Sequence, residues 1–502
     1  MVSLPSLVLG LYALVLLGLV FFGLHRVKML GLYWRASRRP STGPRKPLGN
    51  PADAPLVCVQ CPIFNEPLMV DALLDHVTAL AWPAGRREIQ VLDDSTDETP
   101  QVVRRWLAAH PEHAGGVVHV RRADRAGYKA GALRAGMDRS RAEFFAVFDA
   151  DFRPAPDFLT TLMPHFAEAG VGVVQARWEF ANREASLLTR FQAVFLDAHF
   201  VVEQAARAAG GLFFNFNGTA GIWRRTALEA AGGWTADTVT EDLDASYRAQ
   251  LAGWRFVYLA RYAVPSELPE NLTAFKSQQR RWTKGGIQVA RKLLGTILRS
   301  DQPGRVKREA FNHLTVGLVH PLLMLFSMLF VPYLYVTGGR LEGAWVAFNP
   351  VFVLLAGGAS VAFYVTGQFF RRGAWKEGVA WLVASPLVLA FGLAMSVTCC
   401  AAVLEGAFTR GGEFVRTPKG GRMERTGGLL APWRNRTWFA VVLAVEVLFG
   451  VVMALAAVHF ERLGLAYTAW VLGIKSAGFL GLACYSTRDF WPSSPTLSAA
   501  RA

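Results

Sequence analysis

Uninterrupted apolar runs constrain this chain most. One occupies residues 4–24, and others lie near 314–336, 349–370, 379–404, 438–459 and 464–484. About 20 apolar residues in a helix match a bilayer core of roughly 30 Å. Between the first run and the rest, residues 50–300 carry charges throughout and read as a water-exposed domain. The expected division is an anchor with a basic linker (1–48), a soluble domain (49–300) and a membrane region (301–502). The 502 residues are enough for two or three such units.

The formal net charge of +15 raises nucleic acid as a partner. Much of that charge flanks apolar runs instead, as in "HRVKMLGLYWRASRRPSTGPRK" (25–46), which marks a cytoplasmic membrane face. No nucleic-acid-binding motif accompanies it, so nucleic acid is not expected. Five cysteines, Cys58, Cys61, Cys399, Cys400 and Cys484, give no disulfide framework. The Cys58/Cys61 pair has no second pair to complete a zinc site and lies in a strand-like run. Residues 4–24 lack a small-residue cleavage site and read as an anchor.

From residue 55 strand and helix patterns alternate. "PLVCVQCPIF", "EIQVLDD", "VVHVRR" and "EFFAVFDAD" read as strands, separated by segments of helical periodicity. This alternation predicts an α/β domain, a doubly wound parallel sheet covered on both faces. Ligands of such sheets sit at the carboxyl ends of the strands. Acidic residues fall at those ends: Glu66 after the first strand, Asp93 and Asp94 after the second, Asp149 and Asp151 after the fourth. Aspartate is a poor strand residue. Carboxylates gathered this way suit a divalent cation or a nucleoside's hydrogen-bond donors. Each alone would also serve as a helix cap.

Two later stretches complete the set. Glu241 and Asp242 open a helix in "VTEDLDASYRAQL", and "SQQRRWTKGG" places Gln278, Arg281 and Trp282 at helical spacing. A guanidinium can pair bidentately with a diphosphate, and an indole face can stack on a sugar ring.

The series Asp93-Asp94, Asp149-Ala150-Asp151, Thr240-Glu241-Asp242 and Gln278-Gln279-Arg280-Arg281-Trp282 resembles the spaced aspartates, DxD, TED and QxxRW of processive family-2 glycosyltransferases. "QCPIFNEP", "EIQVLDDSTDET", "FNFNGTAGIWRR" and "EFVRTPKGG" are most similar to the cellulose-synthase-like branch that includes plant (gluco)mannan synthases. The likeness covers roughly residues 55–425. It implies a GT-A type, mostly parallel sheet beside an all-α transmembrane region. It also implies a hexosyltransferase that polymerises a β-linked glucan, mannan or glucomannan from UDP-glucose or GDP-mannose.

By the same resemblance Glu66 and Asp94, or its neighbour Asp93, hold the nucleoside, and Lys129 contacts the nucleotide. Asp149 lies near the sugar-nucleotide, and Asp151 with Asp149 takes Mg²⁺ or Mn²⁺ on the diphosphate. Gln278 and Arg281 touch the diphosphate. Trp282 and Glu241 belong to the acceptor side, and Asp242 is the general base. Phe414, Val415, Arg416 and Thr417, within a loop spanning 405–437, resemble the gating loop of cellulose synthase, although Arg416 interrupts its Phe-x-Val-Thr pattern. Only one base is needed for direct displacement, so the anomeric centre inverts. Single-sugar transfer to a membrane lipid remains open. So does a non-catalytic transporter or glycan-binding protein, despite the full carboxylate set.

Charge bias sets the expected topology. The loops near 371–376 and 410–436 are both basic and read as cytoplasmic, so segment 379–404 enters and leaves on one side, interrupted by Pro386. The expectation is five spans plus this re-entrant or interfacial helix, with the amino terminus outside and the catalytic domain cytosolic. Five spans are few for a polymer channel, which would call for a homodimer. Glu446 and Lys475, costly within apolar segments, face a polar path, lie at the interface or pair with one another.

Overall fold

The computed structural model describes residues 3–38, 53–113, 115–339, 351, 354–372, 375–412 and 436–490. The strands are β1 (Val57–Ile63), β2 (Arg87–Asp93), β3 (Val117–Arg121), β4 (Phe144–Val147), β5 (Val171–Phe180), β6 (Gly221–Arg224) and β7 (Arg255–Ser266). They form one sheet in the order β3-β2-β1-β4-β6-β5-β7. Parallel pairing joins β3, β2, β1 and β4, and also β5 with β7. The short β6 runs antiparallel to β4 and β5, which makes the sheet mixed. All seven residues of β1 are buried, as befits a central strand covered on both faces.

Around the sheet lie α2 (Val70–Thr78), α3 (Thr99–Ala109), α4 (Tyr128–Arg139), α5 (Phe158–Leu162), α6 (Leu187–Asp197), α7 (Gln204–Ala209), α8 (Arg225–Ala230) and α9 (Glu241–Leu251). Two buried amides dock α4. Gln60 Nε2 donates to Gln90 Oε1 (3.2 Å) and Leu133 O (3.2 Å), and Gln90 Nε2 donates to Gly136 O (3.0 Å). Only glycine fits at 136, because a Cβ there would lie 2.5 Å from Gln90 Oε1. Helix α4 therefore lies directly on β1 and β2, and its first turn brings Lys129 to the strand ends.

The long helix α10 (Leu272–Arg299) starts at Asn271, whose side chain accepts from Ala274 N. It packs onto Thr240, where a Cβ on Gly285 would come within 2.3 Å. The remaining helices are α1 (Leu4–Ser37), α11 (Gly304–Thr315), α12 (Val319–Val336), α13 (Ala359–Arg372), α14 (Trp375–Val383), α15 (Ser385–Phe408), α16 (Arg436–Arg462) and α17 (Ala466–Phe490). Among the described residues five helical stretches are long and apolar enough to cross a membrane: Leu4–Ser37, Gly304–Val336, Ser385–Phe408, Thr437–Arg462 and Ala466–Thr487. The apolar helix at 354–369 is shorter.

Pro386 divides segment 379–404: α14 ends at Val383, and α15 begins with this proline in its first turn. Along α15, Val388 and Phe391 pack on Phe191 of α6, while Glu405 pairs with Arg280 (2.7 Å) and Lys284 (2.8 Å) of α10. Both halves of α15 thus meet the sheet domain. By length alone, however, it is one of the five candidates, and the shorter helix falls at 354–369 instead. Glu446 does not pair with Lys475. It accepts from Lys276 Nζ of α10 (2.8 and 2.9 Å), whereas Lys475 Nζ sits 3.3 Å from the centroid of the Phe330 ring. The five cysteines are free.

A buried charge cluster fastens α1 to the sheet domain. Glu309, fully buried on α11, meets His25 (2.9 Å), Lys28 (2.8 Å) and Arg207 of α7 (3.1 Å). Glu309→Ala leaves the buried Arg207 cation with Glu203 alone (3.4 Å) and removes the carboxylate that His25 and Lys28 meet. Breaking a buried pair outright costs about 3–5 kcal/mol, so the loss should approach but not exceed that range. Thermal unfolding in detergent should show a lowered transition; an unchanged one would mean that Glu203 alone suffices to hold the Arg207 cation.

Candidate active site

The pocket opens at the carboxyl ends of the parallel strands. Among its lining are Glu66, Asp94, Lys129, Asp149, Asp151, Glu241, Asp242, Gln278, Arg281 and Trp282. Side chains from the segments that follow β1, β2 and β4 and from α4, α9 and α10 therefore converge, although more than 200 positions separate the first from the last. Asp93 is the exception. Its buried carboxylate accepts from Ser95 N (2.8 Å) and lies 2.8 Å from His119 Nε2. Burial would raise its pKa, but these hydrogen bonds win and hold it below the ordinary value. Asp93 thus ties β2 to β3 instead of lining the pocket, because neighbours on a strand face opposite ways. Phe414, Val415, Arg416 and Thr417 lie outside the described residues.

At one end of the pocket Asp94 receives both Nε (2.9 Å) and Nη2 of Arg122. Arg122 also donates to Ala126 O (2.7 Å) and Tyr128 O (3.0 Å), which fixes the loop into α4. The Arg125 guanidinium stacks 3.3 Å from the centroid of the Phe64 ring. Neither arginine was singled out from sequence; the basic run "RRADRAGYK" after β3 was the available signal.

In the middle Lys129 Nζ donates to Asp149 Oδ1 (2.5 Å) and Gly218 O (3.0 Å). Burial would lower the Lys129 pKa, but the carboxylates of Asp149 and Glu241 outweigh it and raise the value. Thr219 Oγ1 accepts from Asp149 N (2.9 Å), and buried Asp151 accepts from Glu267 N (3.2 Å). Gly218 is a site residue that the sequence did not single out. With φ +82, its missing Cβ leaves room for Asp242 Oδ2, which would otherwise stand 3.0 Å away.

Non-glycine residues with positive φ cluster here: Asn65 (56°), Tyr128 (51°) and Ala220 (53°). They adjoin Glu66, Lys129 and Thr219 respectively. Strained backbone of this kind persists where surroundings over-determine it, commonly at functional sites.

At the other end, burial and then the adjacent Glu241 carboxylate push Asp242 from the ordinary aspartate range up to about 7, against the opposing pull of Lys129, Leu243 N and Arg281. A carboxylate half-ionised near neutrality is matched to taking a proton. Burial lowers the Arg281 pKa, opposed by Glu241, Asp149 and Asp242. Gln278 Oε1 is buried with no hydrogen-bond partner among the described residues.

Asp242 and Trp282 also line a second, larger cavity of about 1070 Å³. It is bounded by residues of α1, α12, α15 and α17, among them Tyr12, Phe330, Trp470 and Lys475.

A seven-stranded mixed sheet flanked by helices, with acidic and basic groups gathered at its strand ends, defines the GT-A class. The chain belongs to the family described as Glycosyl transferase family group 2, which matches residues 144–404; Glycosyl transferase family 2 matches residues 58–229. Glucomannan 4-beta-mannosyltransferase 1 of Oryza sativa subsp. japonica is 44% identical over 251 residues, covering 49% of this chain and 48% of that protein. Glucomannan 4-beta-mannosyltransferase 2 of Arabidopsis thaliana is 44% identical over 258 residues, covering 49% and 47%. The chain spans about half the length of the curated relatives it matches. Mannosyltransferase PcManGT from Pyrobaculum calidifontis, solved in complex with GDP-Man and Mn2+, aligns with a TM-score of 0.53 at 21% identity, covering 79% of this chain and 99% of that one. At that identity the likeness is one of fold.

Proposed function

We propose that this chain is a membrane-embedded, inverting hexosyltransferase that builds a β-linked polysaccharide from a nucleotide sugar. A glucomannan or mannan made from GDP-mannose is favoured over a glucan made from UDP-glucose, because the relatives are named as mannosyltransferases. The observation that carries the reading is Asp242. It is a carboxylate with a pKa near 7, at the junction between a pocket lined by charged groups and a cavity bounded by apolar helices.

In this reading Glu66 and Asp94 face the nucleoside, while Lys129, Gln278 and Arg281 face the diphosphate. The buried Gln278 Oε1, lacking a partner among the described residues, fits a ligand hydroxyl or amide there. Trp282 supports the acceptor sugar, with Glu241 beside it. The acceptor hydroxyl gives its proton to Asp242 as its oxygen forms a bond to the anomeric carbon. The bond from that carbon to the diphosphate oxygen breaks on the opposite face, and Arg281 and Lys129 meet the released charge.

The residues also fit a divalent cation. Asp149 and Asp151 line the pocket, and among the described residues no three acidic, His or Cys side chains are placed to hold a metal ion by themselves. Two carboxylates suit Mg²⁺ or Mn²⁺, which complete their coordination on substrate phosphates. When bound there, the ion supplies charge neutralisation at the leaving diphosphate.

For topology we propose an outside amino terminus and a cytosolic sheet domain. Four helices support it by their ends. Lys28 of α1, Arg280-facing Trp438 of α16 and Lys276-facing Ser486 of α17 lie on the sheet-domain side, as does the start of α12 after α11. Residues 349–370 supply the fifth span, and α15 lies at the interface. A reporter inserted after Gly464 should read outside; a cytosolic reading would reverse the arrangement. Export of the polymer along the large cavity is compatible with its size and its contact with Asp242. A homodimer stays a proposal for solution measurement.

Membranes containing the chain should polymerise label from GDP-mannose, and chelation of divalent ions should abolish the product. A one-sugar glycolipid would favour the lipid-acceptor reading. No incorporation from either nucleotide sugar would leave the transporter or glycan-binding reading. The kcat/KM of the active membranes should rise as pH increases through about 7, as Asp242 ionises, and level off above it. A flat profile from pH 5 to 9 would remove Asp242 as the base.

A further inference from the structure

Helix α10 contributes more to the site than Gln278, Arg281 and Trp282. Two turns further along, Gln288 is 97% buried, with 3% of its surface exposed, and its amide joins two segments that are remote in sequence. Its Oε1 accepts from Val239 N at 3.0 Å, immediately before the first turn of α9. Its Nε2 donates to Gly411 O at 2.9 Å, just after the end of α15. The same two segments touch directly, since Gly411 N donates to Asp237 O at 2.8 Å.

Neighbouring contacts make this junction stiff. A Cβ at Gly285 would meet Thr240 at 2.3 Å, and a Cβ at Gly406 would meet Lys284 O at 2.7 Å. The backbone of α10 therefore lies against the side chain of Thr240, the residue that opens α9, and backbone to backbone against the end of α15. Lys284 also pairs with Glu405 (2.8 Å), and Arg291 donates to Gly406 O (3.0 Å). A glutamine is suited to the central position because one planar amide offers an acceptor and a donor at once. Leaving either backbone group unpaired at this depth would be costly.

We infer that Gln288 is a positioning residue: it locks the backbone ahead of Glu241 and Asp242 to residues 405–412, so that the placement of the proposed base depends on the end of α15. The inference rests on the proposed function for its effect on turnover, though not for the coupling itself. A misplacement of about 1 Å in a reacting group can cost on the order of 100-fold in rate. The hydrogen bonds of Gln288 go to Val239, Thr409 and Gly411, not to Lys129, Gln278 or Arg281, so nucleotide-sugar binding should be spared.

The test compares full-length Gln288→Met and Gln288→Glu with the parent in detergent, reading backbone hydrogen exchange and steady-state kinetics together. Gln288→Met loses both bonds. Exchange should quicken in residues 236–246 and in 405–412 but not in the strands, and kcat should fall on the order of 10–100-fold, with KM for the nucleotide sugar within about twofold. Gln288→Glu keeps the acceptor for Val239 N and loses the donor to Gly411 O. Exchange should then quicken mainly in 405–412, with a smaller fall in kcat. If Gln288→Met does not fold, Gln288→Glu alone decides. The inference is overturned if exchange in 405–412 is unchanged in Gln288→Glu, or if kcat and KM deteriorate equally. An inactive parent whose variants still show the coupled exchange would sink the glycosyltransferase reading and leave the mechanical link standing.

Discussion

Asp242→Asn is expected to slow sugar transfer by about 10²–10⁴-fold, the range that a positioned general base supplies, while nucleotide-sugar affinity stays within about twofold. Asparagine keeps the shape and the hydrogen bond from Leu243 N to Asp242 Oδ1 (2.8 Å), so the first turn of α9 should survive. What is lost is the capacity to take a proton from the acceptor. The same substitution should stabilise the fold, and the sign follows from linkage. The folded carboxyl keeps its proton to about pH 7, whereas the ordinary value is 3.8. Between those values the unfolded chain has already released the proton, so rising pH favours unfolding. The stability tied to this group is present below about pH 4 and lost as pH rises through 7. Asparagine does not titrate. The melting temperature of Asp242→Asn minus that of the parent should therefore climb between pH 4 and 7 and then level off. Equal curves, or an inactive variant that is less stable at pH 8, would show that Asp242 is instead a structural cap.

Asp151→Asn should have the second large effect, a fall in kcat/KM on the order of 10²–10³-fold, equivalent to the several kcal/mol that charge stabilisation by a metal supplies. Asp151 is buried, and its Oδ2 accepts from Glu267 N (3.2 Å). An asparagine carbonyl can still accept there, which separates charge from fold. Asp149 carries the Lys129 ammonium on one oxygen, and Asp151 is the more deeply buried of the two carboxylates, where loss of a charge is felt most. The Mn²⁺ concentration giving half-maximal activity should rise at least tenfold in the variant. An unchanged Mn²⁺ requirement with lowered turnover would move the ion elsewhere.

Much of the sheet domain was legible because its signals are local. Apolar runs of strand length alternating with helical stripes locate β1 to β4 and the helices between them. Strand β6 was not legible as antiparallel. Gly221–Arg224 is four residues long, and its direction is set by the path of residues 181–220, not by its own pattern. The pair Asp93-Asp94 illustrates a second limit. Sequence marks two adjacent carboxylates at a strand end, but strand geometry decides which faces the pocket and which turns to His119. Gly218 was hidden for a related reason: its value lies in what its absent side chain allows Asp242 to approach. The pKa of Asp242 arises from burial and from Glu241, and only tertiary packing creates that burial. In the membrane region, Pro386 was legible as a break, whereas the pairing of Glu446 with Lys276 requires knowing which face α10 turns towards α16.

The most direct test of a single displacement at this pocket is proton NMR of the first glycosidic bond formed from an α-linked nucleotide sugar. With Asp242 as the one base and the diphosphate leaving from the opposite face, that bond should be β. An α-linked product would mean retention, by a double displacement or by attack on the face the diphosphate leaves, and would contradict back-face attack by an acceptor deprotonated at Asp242.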